Sequence, residues 1–235
     1  MSAAAARARR LVIAAESLGG AEAALAFCRS ILEWSPAKPT GRIIDPDSAG
    51  YWTGSGNRLV STGGAVLPIP PPGRLRRIAR GDAEALAARL AGLATELNTE
   101  STCELCEGEL VSMACATIEH DDILILGQRP VVPRRGKVLL LEAGHGASVA
   151  ARGLADALAW ANATSVSLIS PARDADQDAL IAQVDRSHAG VVVADFEAGP
   201  LSGEDELRRL FAAARCPVTV LGGSRIRRPE VDVAS

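Results

Sequence analysis

The feature that most constrains this chain is the recurrence of short, nearly uninterrupted apolar runs separated by Ala-rich stretches of helical period. Residues 11–15 (Leu-Val-Ile-Ala-Ala), 123–126 (Ile-Leu-Ile-Leu), 138–141 (Val-Leu-Leu-Leu), 190–194 (Gly-Val-Val-Val-Ala) and 218–221 (Val-Thr-Val-Leu) are such runs. A segment apolar at every position is covered on both faces, as in a parallel sheet between two layers of helix. The stretches between them carry the other period. Leu25, Cys28 and Ile31/Leu32 fall on one face of a helix over 21–34, and Leu86, Leu90, Leu93 and Leu97 form a stripe with steps of four, three and four. Asp82 stands where the N-cap of that second helix is expected. Strand and helix in alternation mean right-handed crossover units, so the fold class is α/β with a mostly parallel sheet.

The rest of the chain fits between these elements. Pro36 and Pro39 stop the first helix, and residues 41–44 read as a second strand. Periodicity then disappears over 45–79, where Pro and Gly accumulate, with a small hairpin expected around 58–66. Further strands are expected near 102–106 and at 166–169, and helices over 107–119, 174–187 and 204–215.

Composition narrows the function. The chain has 235 residues and a net charge of −3, so it lacks the basic field that neutralises phosphates, and nucleic acid is not an expected partner. Arg7, Arg9 and Arg10 read as a solvated tail. No apolar run approaches the ~20 residues of a membrane helix, so a cytoplasmic protein with no membrane contact is expected. Five scattered cysteines in such a chain imply reduced thiols.

The pattern restarts halfway. Residues 11–17 and 138–144 share one plan: an apolar strand ending in Glu (Glu16, Glu142), a loop of small residues, then an Ala-rich helix. Residues 107–127 and 176–194 also match, each a helix, a His-containing turn and a strand. Repetition of a supersecondary unit organises the chain into a first half, 1–135, and a shortened second half, 136–235. The first half lacks a final helix and strand, and the second lacks a clear second helix and third strand.

On these residues the chain resembles a degenerate tandem member of the universal stress protein (UspA-like) family. Ala15-Glu16-Ser17 and Leu141-Glu142-Ala143 stand where the family has Val-Asp and small residues. Residues 116–127 resemble its passage from helix into the fourth strand, and Arg215-Cys216-Pro217-Val218-Thr219-Val220-Leu221 resembles its closing strand. The resemblance implies two halves of the adenine nucleotide α-hydrolase-like (HUP) type, a homodimer, and ATP as the possible cofactor. ATP-binding members carry Gly-x2-Gly-x9-Gly-Ser/Thr after the fourth strand, where small residues let backbone N–H groups reach phosphates. Here Gly127 is followed by Gln128-Arg129-Pro130, and Pro130 removes a donor. In the second half, Asp195 and Glu197 put carboxylates where phosphates would lie. Both halves therefore depart from the ATP motif.

The candidate ligand-contacting residues are Glu16, Ser17, Gly127, Glu142 and Gly144, all at strand ends where open α/β sheets bind ligands. Glu16 and Glu142 read equally as ligand contacts or as charges at the following helix N-terminus. Other groups carry weaker signals. Cys103-x2-Cys106 supplies at most two of about four zinc ligands, with Cys115 and His120 as conceivable partners, and it also precedes a helix as a redox pair would. His145, between Gly144 and Gly146, is an acid/base candidate or a surface loop residue. Asp174, Asp176 and Asp178, with Asp195, resemble a metal cluster, although the first three suit a helix N-terminus. The expected function is that of a non-catalytic stress-response or regulatory protein acting through protein contacts or a small ligand. The alternatives are a divergent ATP/AMP-binding protein and a thiol or zinc protein using Cys103/Cys106.

Overall fold

The computed structural model describes residues 9–45, 59–60, 66–67, 72–128, 136–171 and 177–227. The elements run β1 (Arg10–Ala15), α1 (Leu18–Trp34), β2 (Lys38–Asp45), β3 (Leu59–Val60), β4 (Val66–Leu67), α2 (Pro72–Glu96), β5 (Thr102–Glu107), α3 (Leu110–Cys115) and β6 (Ile123–Gly127). They continue as β7 (Lys137–Leu141), α4 (Val149–Ala161), β8 (Val166–Ile169), α5 (Gln177–Arg186), β9 (Ala189–Asp195), α6 (Glu204–Ala214) and β10 (Val218–Leu221), and a 3-10 turn covers Gly223–Arg227.

Eight strands form one sheet in the order β5-β2-β1-β6-β10-β9-β7-β8. Every neighbouring pair is parallel except β6 and β10, which meet antiparallel with Val218 opposite Leu126 and Val220 opposite Leu124. The fold is thus the expected mostly parallel α/β architecture. Matching β1 with β7, β2 with β8 and β6 with β9 gives the same local order in each half, β2-β1-β6 and β8-β7-β9. On this matching β5 has no counterpart in the second half and β10 has none in the first. The extra strand lies on the outer edge of one half and at the central seam of the other.

Strand alternation divides the core between the two faces of the sheet. Leu11, Ile13, Ile43, Ile125 and Leu140 face α1, α2 and α4 with Leu86, Leu90 and Leu154. Val12, Ala14, Ile44, Leu124 and Leu126 face the other way, with Leu180, Leu207 and Leu210. Most of these are fully buried, and burying each Leu or Ile contributes about 2 kcal/mol.

Three boundaries differ from expectation. α2 begins at Pro72, so residues 72–79 of the expected loop are helical and Asp82 lies inside the helix. Pro at the first helical position is compatible, because that N–H has no intrahelical partner. The segment Arg74-Leu75-Arg76-Arg77-Ile78 lacks a clear apolar stripe, and Ile78 is 51% exposed, which is why periodicity misses it. α3 is shorter than the expected 107–119 and starts after Glu109, whose carboxylate accepts from the Val111 and Ser112 amides. Pro39 lies within β2 opposite Leu11 rather than after a helix. The expected hairpin is present as β3 paired antiparallel with β4.

Candidate functional site

In the first half the strand-end crevice lies beyond Ala15 of β1 and Gly127 of β6, which are register partners. Ser17 is the N-cap of α1, and its hydroxyl accepts from the Gly20 amide at 3.3 Å. The Leu18 amide donates to the Asp82 carboxylate of α2 at 2.9 Å. An anion therefore already sits at the start of α1, where unsatisfied N–H groups would otherwise attract a phosphate. Gly127 has a packing explanation. A Cβ there would lie 2.5 Å from the Gly20 carbonyl oxygen, and one at Gly20 would lie 2.8 Å from that of Gly127. The two glycines let α1 close onto the end of β6. Glu16 is exposed; desolvation first, and the Glu109 charge second, raise its carboxyl above the ordinary value. Solvent at the side chain screens both effects. Pro130 lies outside the described residues.

In the second half the equivalent crevice is closed by Asp195, the last residue of β9, which is 5% exposed. One carboxylate oxygen accepts from the Glu197 and Ala198 amides at 2.8 and 3.3 Å. The other accepts from the Ser148 hydroxyl, and Ser148 in turn caps α4 by accepting from the Ala151 amide at 3.0 Å. Glu142 is held between Ser170, whose hydroxyl donates at 2.7 Å, and Arg152 at 3.5 Å. Gly144 and His145 are exposed in the turn after β7. Nothing approaches a Cβ at Gly144, and it is Gly146, at φ 97°, that the turn requires.

The five predicted residues thus divide into two groups of two and three, because the antiparallel seam puts the C-terminal ends of the two halves on opposite rims of the sheet. At the second-half rim, a cavity of about 210 Å³ is bounded by Ser148, Asp195 and Glu197 from one half and Arg9, Asp121 and Asp122 from the other. It is smaller than the ~300 Å³ at which ligand pockets begin. A larger cavity of about 860 Å³ opens at the N-terminal ends of β7, β9 and β10, against Ala23 and Phe27 of α1. None of the five predicted residues lines it.

The remaining constellations come apart. Cys103 and Cys106 are three apart on β5 and so face opposite sides of the sheet. Cys103 packs with the α2 side and Cys106 with the α3 side. They form neither a chelating pair nor a dithiol, which corrects the Cys-x2-Cys reading. Burial pushes the Cys103 thiol up to about 11 and Cys216 up to about 12. Asp178 pairs with Arg209 of α6 while Asp195 is engaged with Ser148 and the Glu197 amide, and Asp174 and Asp176 lie outside the described residues. No group of three His, Cys, Asp or Glu poised for a metal is found among the described residues. His120 Nδ1 lies 3.3 Å from the Ser224 hydroxyl at an exposed site, and among the described residues no carboxylate is hydrogen-bonded to that imidazole. No described helix is long and apolar enough to cross a membrane.

Sequence reasoning missed the partners that fill each crevice. Asp82 was legible as a cap, but for the wrong helix. Ser148 before an Ala-rich run is an N-cap signal, and its link to Asp195 needs the fold.

These features define a mostly parallel α/β protein whose strand-end crevices are occupied by its own carboxylates. No family model and no curated protein matches the sequence. Among solved structures, the crystal structure of the cytoplasmic domain of a prokaryotic cation chloride cotransporter is similar over 93% of this chain and 98% of that one. The identity is 11% and the TM-score 0.39, a likeness that carries no functional argument.

Proposed function

We propose that this chain is a non-catalytic regulatory protein of the universal stress protein type, acting as a homodimer through protein contacts and without a phosphate site in either half. The supporting observation is the placement of Asp195: its buried carboxylate takes the amides and the hydroxyl that a phosphate would need. At α1, Asp82 takes the Leu18 amide and Ser17 the Gly20 amide. A triphosphate entering either crevice meets a like charge and finds its donors already satisfied. The ATP/AMP-binding alternative requires one of these carboxylates to be displaced.

A thermal-shift series with ATP and AMP tests this. A ligand that binds the native state raises the melting temperature with concentration. Neither nucleotide is expected to move it. A concentration-dependent rise with ATP would show that a phosphate is accommodated and refute the reading.

A further inference from the structure

We propose that β8 pairs antiparallel with β8 of a second copy of this chain, extending the sheet across a twofold axis. β8 ends the sheet, so among the described residues one of its edges carries no backbone partner. Its counterpart in the repeat, β2, has β5 as a second neighbour and seven of its eight residues are buried. In β8 only Ile169 is buried. The difference comes from coverage: α2 and β5 cover β2, whereas α5 after β8 packs on the Ile169 face alone, and no described strand pairs with the outer edge of β8. What remains open there is apolar. Leu168 is 43% exposed, on the same face as Val166, and Trp160 at the end of α4 is 85% exposed.

The occupant follows from charge. Residues 157–171 (Ala-Leu-Ala-Trp-Ala-Asn-Ala-Thr-Ser-Val-Ser-Leu-Ile-Ser-Pro) contain no charged side chain. Edge strands that stay free in solution are usually blunted by charge or by Pro within the ladder. The opposite edge follows that rule, since β5 carries Glu104 and Glu107, while β8 does not, and Pro171 lies beyond its ladder. A second copy presents the same neutral edge, so self-pairing about a twofold brings no like charges together. The chain already joins two parallel blocks in this way, at the antiparallel seam of β6 and β10.

This inference rests on the dimeric part of the proposed function and not on the closed crevices. Sedimentation velocity of the full chain tests it, with Leu168→Lys, Trp160→Ala and, as a control on the exposed face of α2, Ile78→Lys. The wild type is expected as a dimer. Leu168→Lys should raise the dimer dissociation constant on the order of 100-fold, and Trp160→Ala about 10-fold. Ile78→Lys should leave it unchanged. Far-UV circular dichroism of each variant checks that it is folded, and both Leu168 and Trp160 are exposed enough for substitution to leave the core intact. A dimer indifferent to Leu168→Lys and Trp160→Ala would overturn the β8 interface alone. A monomer at 100-µM-scale concentration, well above ordinary dimer affinities, would overturn both it and the dimeric reading.

Discussion

The two halves of this protein meet the same need at the start of their first helix with different atoms. α1 is capped by Ser17 and by Asp82, a carboxylate 64 residues away in the chain. α4 is capped by Ser148, which is itself held by Asp195 at the end of a strand. Exposed helix amides attract an anion, and a carboxylate from elsewhere in the fold supplies it, directly at α1 and through Ser148 at α4. A crevice can therefore be closed twice within one chain without a shared sequence signature.

Six substitutions would break or sharpen this comparison. The largest effect is expected at the close approach of α1 to β6. Gly127→Ala forces a Cβ to within 2.5 Å of the Gly20 carbonyl and should cost about 3 kcal/mol in urea denaturation. Its register counterpart in the repeat is Asp195, which already carries a side chain, and Ala194→Gly beside it should cost only about 1 kcal/mol. Equal losses would show that the halves pack alike at this point.

Next comes Asp195→Ala, which strands two amides and the Ser148 hydroxyl and should cost about 2 kcal/mol. If it also creates an ATP-dependent rise in melting temperature, the second crevice is closed by that carboxylate alone. Asp82→Ala removes one cap contact and should cost about 1 kcal/mol. A loss larger than that of Asp195→Ala would reverse the ranking of the two closures.

The smallest effect concerns acid. Burial pushes the Glu109 carboxyl up, but hydrogen bonds from the Ser112 and Val111 amides, then from the Ser112 hydroxyl and Arg208 of α6, leave it below the ordinary value. A carboxyl lowered in the native state contributes stability above its unfolded pKa and loses it as pH falls through the native one. Urea midpoints should therefore decline below about pH 4.5. Glu109→Gln should flatten that decline while costing under ~1 kcal/mol at pH 7. Glu16 acts in the opposite sense. Its raised carboxyl works against stability once ionised, so Glu16→Gln should be neutral or slightly stabilising at pH 7.

Much of the fold was legible in the sequence, because the runs at 11–15, 123–126 and 138–141 are apolar at every position and only a doubly covered strand needs that. The start of α2 was not, since Arg74, Arg76, Arg77 and Arg80 leave its first turns without an apolar stripe. Gly127 drew attention as a possible ligand contact, yet its smallness serves Gly20 across a helix–strand contact that no linear spacing reveals. Cys103 and Cys106 looked like a pair along the chain, and the two-residue period of β5 separates them. The strand-end location of Glu16 and Glu142 was readable, whereas the side chains that occupy those ends come from elsewhere in the fold.

The antiparallel joint between β6 and β10 has a mechanical consequence. Because the halves point in opposite directions, a body docking at the strand ends of one half approaches from the far side of the slab relative to a body docking at the other. Two visitors would not meet, and news of one could reach the other along the hydrogen-bonded ladder across the middle of the molecule or through the helix contacts of α1 with α4 and α3 with α6.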